Sequence, residues 1–273
     1  MATDRSGHSV FDVRAEDLQL LVDGVPQTIE YFARDERPLT CGLLIDASGS
    51  VRHILPTLLN AGKTIIADLR PTDEAFVGRF VGRDNFRIVG QLTADREAVN
   101  AALNDIYVEG GQTAIIDAVD QALKYMNESR AADPSRRRIL VLITDGEDRA
   151  SRMNDPKELF SLLGKSDVQV FVIGLTKFVN LESPAAKAID LLKGLAEHSG
   201  GRAIFPNSPS DVPDSLRAIS HDLHAQFVID YRAGNKPAPP EPKVQIKWVG
   251  HADASDRKVT INHSVVTKPA TQP

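Results

Sequence analysis

Between residues 39 and 224, short apolar runs alternate with longer stretches in which apolar residues recur at helical spacing. Residues 39–45 and 137–143 have the length and composition of strands that are buried on both faces. Residues 52–69 and 114–126 are typical of amphipathic helices. Because strands that alternate with helices pair in parallel through crossover connections, this pattern predicts an α/β fold. We expect a doubly wound, mostly parallel central sheet with helices on both faces.

The two ends of the chain have a different pattern. Residues 17–34 alternate in polarity around Asp23-Gly24, which is a strong hairpin signal, and Pro26 suits an edge strand. Residues 226–231, 243–249 and 257–261 read as strands with no helix between them. We expect the two ends to pair into a small antiparallel β module. The predicted domains are a β-hairpin at 1–37, an α/β domain at 38–224, the C-terminal strands of the β module at 225–265 and a tail at 266–273.

Composition excludes several classes of function. The 273 residues carry a formal net charge of −5, which argues against nucleic acid as the main partner. The single cysteine, Cys41, rules out a disulfide or a cysteine zinc site within one chain, and its apolar neighbours predict a buried thiol. No stretch reaches the roughly 18 apolar residues of a membrane span, and residues 1–8 lack a signal-peptide core. The chain is therefore either cytoplasmic or a fragment without its leader, and we expect the fragment.

Five side-chain oxygen donors follow predicted strands or open predicted helices. Asp46, Ser48 and Ser50 occupy alternate positions after the first buried strand, Thr113 lies in a glycine-rich loop, and Asp145 ends the strand at 137–143. The carboxyl ends of strands in an open α/β sheet are where ligands bind, so these five residues can converge. An oxygen-only set without His or Cys suits Mg²⁺, Mn²⁺ or Ca²⁺ rather than Zn²⁺.

Three short motifs give this set a family resemblance. The motifs are Asp46-Ala-Ser-Gly-Ser50, Gly110-Gly-Gln-Thr113 and Thr144-Asp-Gly146. In this order they resemble the metal-ion-dependent adhesion site (MIDAS) of von Willebrand factor type A domains. The resemblance implies that Ser48, Ser50 and Thr113 contact a divalent cation, most often Mg²⁺, directly. It implies that Asp46 and Asp145 act mainly through water, and that an acidic residue of a protein partner completes the shell. Val51, where many members have Met, and the additional Gln112 depart from the common pattern.

The flanking segments narrow the resemblance. Residues 17–27 and 224–231 resemble a bacterial subgroup in which the A domain carries a β module and many members have secretion signals. The resemblance therefore implies an extracytoplasmic, adhesion-type interaction domain that is not an enzyme. Two alternatives stay open. One is a metal-dependent phosphatase or hydrolase that uses Asp46, and the other is a scaffold whose metal site is not used. The oligomeric state and the partner's identity do not follow from the sequence.

Several other signals have simpler interpretations. Gly62-Lys-Thr64 and Gly164-Lys-Ser166 lack the earlier glycine of a phosphate-binding loop. His221 and His224 could share a helix face, but a solvated or capping role is expected. Glu147 and Asp148 are expected in a solvated loop, and the arginines at 136–138 at a solvated strand entry. Tyr231 and Trp248 are expected in the core of the β module.

Overall fold

The computed structural model describes residues 2–3, 10–82, 84–128, 133, 135–152, 155–178, 185–231, 243–250 and 260–261. The strands are β1 (Ala2–Thr3), β2 (Leu18–Val22), β3 (Val25–Gln27), β4 (Ile29–Arg34), β5 (Leu39–Asp46), β6 (Glu74–Phe80), β7 (Arg87–Thr93), β8 (Arg137–Thr144), β9 (Val168–Gly174), β10 (Ala203–Ile204), β11 (Phe227–Tyr231), β12 (Val244–Trp248) and β13 (Thr260–Ile261). The helices are α1 (Leu55–Asp68), α2 (Arg96–Asn104), α3 (Ile115–Glu128), α4 (Pro156–Lys165), α5 (Ala185–Ser199) and α6 (Val212–His224). The described residues fall into two compact units, one from 37–220 and the other from 1–36 together with 221–265.

The unit at 37–220 contains a six-stranded sheet in the order β10-β9-β8-β5-β6-β7. All neighbouring strands are parallel except β6 and β7, which pair antiparallel at one edge. The chain passes from β5 to β6 on one side and later returns to β8 on the other side of β5. The order of the strands therefore reverses between β5 and β8, and this topological switch point is where ligands bind in open α/β sheets.

Helices cover both faces of this sheet, as the alternation of the sequence predicted. Leu44 of β5 and Leu140 of β8 pack in one core cluster with apolar residues of α3, α4 and α5. Successive side chains of a strand point to opposite faces. On the other face, a Cβ atom at Gly62 of α1 would come within 3.6 Å of Ile45 and 3.2 Å of Leu103 in α2. The predicted doubly wound fold is confirmed.

Element boundaries differ from the sequence prediction at a few points. The predicted helix at 52–69 starts as a 3-10 turn, Ser50–His53, and continues as α1 with Pro56 in its first turn. The predicted strand at 85–89 lies at Arg87–Thr93. The arginines expected to be solvated are not. Arg137 is buried, the Arg136 guanidinium donates to the Leu39 carbonyl at 2.7 Å, and Arg138 forms an ion pair with Asp167.

The other unit is antiparallel and joins the two chain ends, as predicted. Strand β12 pairs with β2, β11 with β4, and β13 with β1. The turn at Asp23-Gly24 is present, and both residues have positive φ (50° and 79°), as a type I′ turn requires. The hairpin is shorter than expected, because it includes only β2 and β3, whereas residues 29–34 pair with β11 instead. Pro26 lies in edge strand β3.

The core of this antiparallel unit is small. Ala2, Val10 and Val13 are buried, and Phe32, Phe227 and Trp248 are among the partly buried residues packed against them. The rings of Phe32 and Phe227 stack with their centroids 5.2 Å apart, across the pairing of β4 with β11. Predicted strand residues 257–259 and the predicted tail at 266–273 lie outside the described residues. No described helix is long and apolar enough to cross a lipid bilayer.

Candidate metal centre

The last residue of β5 and the loop that follows it carry three of the five predicted ligands. Asp46 is fully buried, and its Oδ1 atom accepts a hydrogen bond from the Ser48 backbone N–H at 2.9 Å. The Oγ atoms of Ser48 and Ser50 lie 3.1 Å apart. Ser48 is buried, whereas Ser50 is exposed. The backbone turn therefore brings the alternate side chains of this loop together, with Ser50 on the solvent side.

The loop after β8 lies beside it, because β5 and β8 are adjacent parallel strands. The Thr144 hydroxyl donates to Asp46 Oδ2 at 2.5 Å, so both oxygens of Asp46 accept a hydrogen bond. Asp145 is fully buried, and its Oδ1 accepts from the Glu147 N–H at 3.3 Å. Asp145 Oδ2 is buried and has no hydrogen-bond partner among the residues that the structure describes. A buried carboxylate oxygen without a partner is unfavourable unless a cation or water binds it.

Thr113 belongs to the third loop, which precedes α3. Gly110 and Gly111 have φ values of 86° and 85°, a region that glycine enters without strain, and they let the chain turn back toward the other loops. The Gly111 carbonyl accepts from the Gly49 N–H at 3.2 Å. The Thr113 carbonyl accepts from the Arg149 N–H at 2.9 Å, and the residue is buried. Backbone hydrogen bonds thus join the Thr113 loop to both other loops.

Electrostatics at this point favour a cation. Burial is the main cause that raises the pKa of Asp46 to about 7, and the negative charge of Asp145 adds to it. Hydrogen bonds from Thr144 and Ser48 act in the opposite direction. Burial also raises the pKa of Asp145, while the Ser50 hydroxyl lowers it. Two buried carboxyl groups resist ionising together, and a divalent cation would stabilise both as carboxylates.

The donor set limits which cation fits. No group of three or more His, Cys, Asp or Glu side chains able to hold a metal occurs in the part of the chain that the structure describes. A cation here must therefore take hydroxyl and water ligands in addition to carboxylates. Such hard oxygen ligands suit Mg²⁺, Mn²⁺ and Ca²⁺, and the residues present fit a hydrated divalent cation.

Three neighbours were not among the predicted site residues. Thr144 hydrogen-bonds to Asp46 and so links it to the β8 loop. The sequence signal that could have identified Thr144 was its position at the end of a predicted buried strand. Glu147, expected to be solvated, is only 5% exposed and forms an ion pair with Arg149. Asp148 accepts a hydrogen bond from the Ile115 N–H at 3.0 Å. Both expectations of a solvated loop are wrong, because the loop folds against the start of α3.

The other sequence motifs considered above, the two Gly-Lys motifs, Cys41 and His221, lie in helices, a strand or an aromatic contact. Gly62-Lys-Thr64 lies inside α1, and Gly164-Lys-Ser166 lies at the end of α4, so neither motif forms a loop between a strand and a helix. Cys41 is fully buried in β5, and burial raises the pKa of its thiol. The His221 ring contacts the Phe11 ring edge-on, with centroids 4.2 Å apart.

A mostly parallel sheet with helices on both faces and oxygen-bearing side chains gathered at its switch point defines a doubly wound α/β domain. The family model for the von Willebrand factor type A domain matches residues 42–216. This chain belongs to the von Willebrand factor type A domain family. Domains of this family mediate protein interactions. A comparison with curated protein sequences gave no match.

Solved structures show the same fold at low sequence identity. A von Willebrand factor type A protein from Catenulispora acidiphila is 18% identical with a TM-score of 0.56, and the match covers 81% of this chain and 51% of that one. BatB, a conserved hypothetical protein from Bacteroides thetaiotaomicron, is 18% identical with a TM-score of 0.51 (67% and 97% covered). Proximal thread matrix protein 1 from the mussel byssus, solved with a zinc-occupied MIDAS motif, is 18% identical with a TM-score of 0.56 (76% and 50% covered). The match thus spans about half the length of the first and third of these proteins.

Proposed function

We propose that this protein is a metal-dependent interaction domain that binds a carboxylate of a protein partner at a divalent cation. The observation that carries the proposal is the pair of buried carboxyl groups, Asp46 and Asp145, beside the hydroxyls of Ser48 and Ser50, with Asp145 Oδ2 lacking a partner among the described residues. Ser48, Ser50 and Thr113 would bind the cation directly. Asp46 and Asp145 would act mainly through water.

Weak direct ligation leaves room for a partner. Hydroxyl oxygens carry no formal charge, so a cation that they hold keeps much of its positive field. When bound, the cation offers a Lewis-acidic position to an anionic oxygen from outside. Ser50 is the exposed member of the set, so the approach from solvent leads past it. A Glu or Asp side chain on a partner has the reach and the charge for this position.

The charges around the site also favour an acidic partner. Arg79 forms an ion pair with Glu109, and Arg149 with Glu147, so these arginines are already neutralised. Arg52 lies two residues after Ser50, is exposed, and forms no ion pair with any residue that the structure describes. An exposed arginine within one turn of Ser50 adds positive charge near the approach from solvent, and this charge would attract a negatively charged segment.

The alternative of a phosphatase that uses Asp46 has less support. A nucleophilic carboxylate must present an oxygen to its substrate. Both oxygens of Asp46 accept hydrogen bonds from within the protein, and the side chain is fully buried. By the resemblance to the bacterial subgroup, we also propose an extracytoplasmic location, which fractionation of the source cells would test.

Calorimetric titration of chelator-treated protein tests the metal site. Mg²⁺, Mn²⁺, Ca²⁺ and Zn²⁺ are titrated separately, Zn²⁺ because the byssus protein was solved with zinc. We expect one site, lost in Ser48→Ala/Ser50→Ala and retained in Ser161→Ala, which changes an exposed serine on α4. If the double variant binds the cation with the same affinity as the unaltered protein, the cation binds elsewhere. A chain that binds no divalent cation would support the scaffold alternative.

Selection from a displayed random peptide library tests the partner chemistry. Peptides retained with the bound cation and released by chelator are expected to share an acidic residue. Binding of individual selected peptides is then compared with that of versions in which this residue is changed to its amide. Peptides that bind equally well as amides would contradict carboxylate capture, even if the metal site is real.

A further inference from the structure

Hydrogen bonds between distant segments join the β8 loop to the start of α3. Asp148 Oδ1 accepts from the Ile115 N–H at 3.0 Å and from the Ser151 hydroxyl at 2.7 Å. The Thr113 carbonyl accepts from the backbone N–H groups of Arg149 and Ala150, at 2.9 and 3.0 Å. These contacts link two segments that carry proposed metal ligands, Asp145 in one and Thr113 in the other.

Asp148 provides a helix cap that the local sequence lacks. Ile115 is the first residue of α3, and the first N–H groups of a helix have no partner within the helix. Ala114 precedes it and has no side-chain acceptor, while its own N–H donates to the Val81 carbonyl. The carboxylate of Asp148, 33 residues away, accepts from Ile115 instead, and its negative charge suits a helix N-terminus.

The segment before this cap needs such an anchor. Gly110 and Gly111 give the loop more conformational freedom than other residues would, so ordering it is entropically unfavourable. On the site side, the Gly49 N–H donates to Gly111 at 3.2 Å and the Glu109 N–H donates to the Ala47 carbonyl at 3.1 Å. Thr113 lies between these two hydrogen bonds and the contacts with the β8 loop, so its position depends on both sets of contacts.

We propose that Asp148 is a positioning residue for the metal centre. It holds Thr113 in its position relative to Asp145 and does not bind the cation itself. This inference rests on the proposed metal site. Without the Asp148 cap, the start of α3 and the glycine loop would sample more conformations, and Thr113 would bind the cation only in a fraction of them. Affinity for a ligand falls with the population of the competent state.

Three proteins test this role: the unaltered chain, Asp148→Ala and Asp148→Asn. We expect Asp148→Ala to weaken Mn²⁺ binding about 10-fold, the lower end of the effect of removing a residue that orients metal ligands. Hydrogen exchange of the metal-free protein should become faster at 109–115. Asp148→Asn should recover most of the affinity, because an amide oxygen can also accept from Ile115. Calorimetry with Mn²⁺ is carried out well below the melting temperature of each protein.

A matched control separates positioning from general stability. Asp95 caps α2, where its Oδ1 accepts from the N–H groups of Glu97 and Ala98 at 2.9 and 3.2 Å. Asp95→Ala removes a helix cap of the same chemistry and should lower the melting temperature without changing Mn²⁺ affinity. If Asp148→Ala does not fold, Ser151→Ala is the second test. It removes the hydroxyl that donates to Asp148 and that also accepts from the Asp117 N–H in the first turn of α3, at 3.3 Å, and it should weaken Mn²⁺ binding about 3-fold, a fraction of the effect of losing Asp148 itself.

The possible results distinguish this inference from the proposed function. Unchanged Mn²⁺ affinity in Asp148→Ala would overturn the positioning role and leave the metal site intact. Equal weakening in Asp148→Asn and Asp148→Ala would overturn it too, since the charge rather than the hydrogen bond would then matter. An unaltered chain that binds none of the four titrated cations would overturn the metal site and this inference together.

Discussion

Replacing Asp46 with Asn should make the metal-free protein more stable at alkaline pH. Asp46 is fully buried, and burial together with the charge of Asp145 raises its pKa from 3.8 to about 7. In the unfolded chain, this carboxyl loses its proton near pH 4 and in the folded chain only near pH 7. Between these values the folded state binds more protons, so the free energy of unfolding falls as pH rises and stays low above pH 7.

The size of the effect follows from the same two pKa values. A difference of about 3 pKa units corresponds to about 4 kcal/mol of lost stability above pH 7, and about 2 kcal/mol of this is already lost at pH 5. The Asn side chain does not ionise, but it loses one accepted hydrogen bond, which lowers stability by about 1 kcal/mol at every pH. The stability of Asp46→Asn relative to the unaltered protein should therefore increase by about 3 kcal/mol between pH 5 and pH 8.

Urea unfolding of chelator-treated protein at the two pH values measures this difference. The helical circular dichroism signal reports on the α/β unit, where α1 to α5 lie. Adding Mg²⁺ at pH 8 should stabilise the unaltered protein and leave Asp46→Asn unchanged. Asp73→Asn is the control. Asp73 is also buried and accepts from the Leu39 and Arg70 N–H groups, so this variant should lose stability and keep metal binding.

One result would refute the reasoning about Asp46. If the stability difference between Asp46→Asn and the unaltered protein is the same at pH 5 and pH 8, the folded carboxyl already ionises near its ordinary pKa. Burial and the charge of Asp145 would then not disfavour the ionised form of Asp46. A cation would therefore not be favoured by stabilising that form.

Three further changes have expected outcomes. Arg52→Glu should weaken binding of an acidic, metal-dependent peptide about 10-fold, as measured by fluorescence anisotropy. The control is Arg70→Glu, which changes an exposed arginine two residues after the end of α1 and should have little effect. Gly201→Ala should lower the free energy of unfolding by about 3 kcal/mol in urea unfolding, because its Cβ would lie 2.1 Å from the Val170 carbonyl oxygen. Deleting residues 1–36 removes the strands that pair with β11 and β12, and hydrogen exchange in both should become faster. The first prediction would be contradicted by unchanged peptide affinity in Arg52→Glu, and the second by an unchanged free energy of unfolding in Gly201→Ala. The third would be contradicted if hydrogen exchange in β11 and β12 were unchanged by the deletion.

The fold was predictable because its signals are local. Residues 39–45 and 137–143 read as buried strands, since each run is apolar on both faces, and the structure places β5 and β8 there. The Asp23-Gly24 turn depends on two positive φ values that this dipeptide adopts readily. The pairing of residues 29–34 with β11 was less accessible, because it depends on a contact between segments almost 200 residues apart along the chain.

The same distinction applies to the candidate metal centre. Its five predicted residues occur in short motifs, so their types and spacing could be recognised. Their support comes from long-range contacts: Thr144 reaches Asp46 across 98 residues, and Asp148 reaches Ile115 across 33. Such pairings depend on which strands become neighbours and how loops bend, and residue spacing encodes neither. Glu147 and Asp148 were therefore expected to be solvated, as charged loop residues generally are.

Burial of its five residues determines how the candidate metal centre would meet the proposed partner. Asp46, Ser48 and Asp145 have no exposed surface, Thr113 is 3% exposed, and only Ser50 among the five is open to solvent. A flat partner surface could not bring a main-chain group to such a recessed position. A carboxylate at the end of a side chain can reach it, and a Glu reaches one methylene further than an Asp. Peptides with Glu at the shared acidic position should therefore bind more tightly than the same peptides with Asp, and the reverse order would indicate a shallower site than this burial implies.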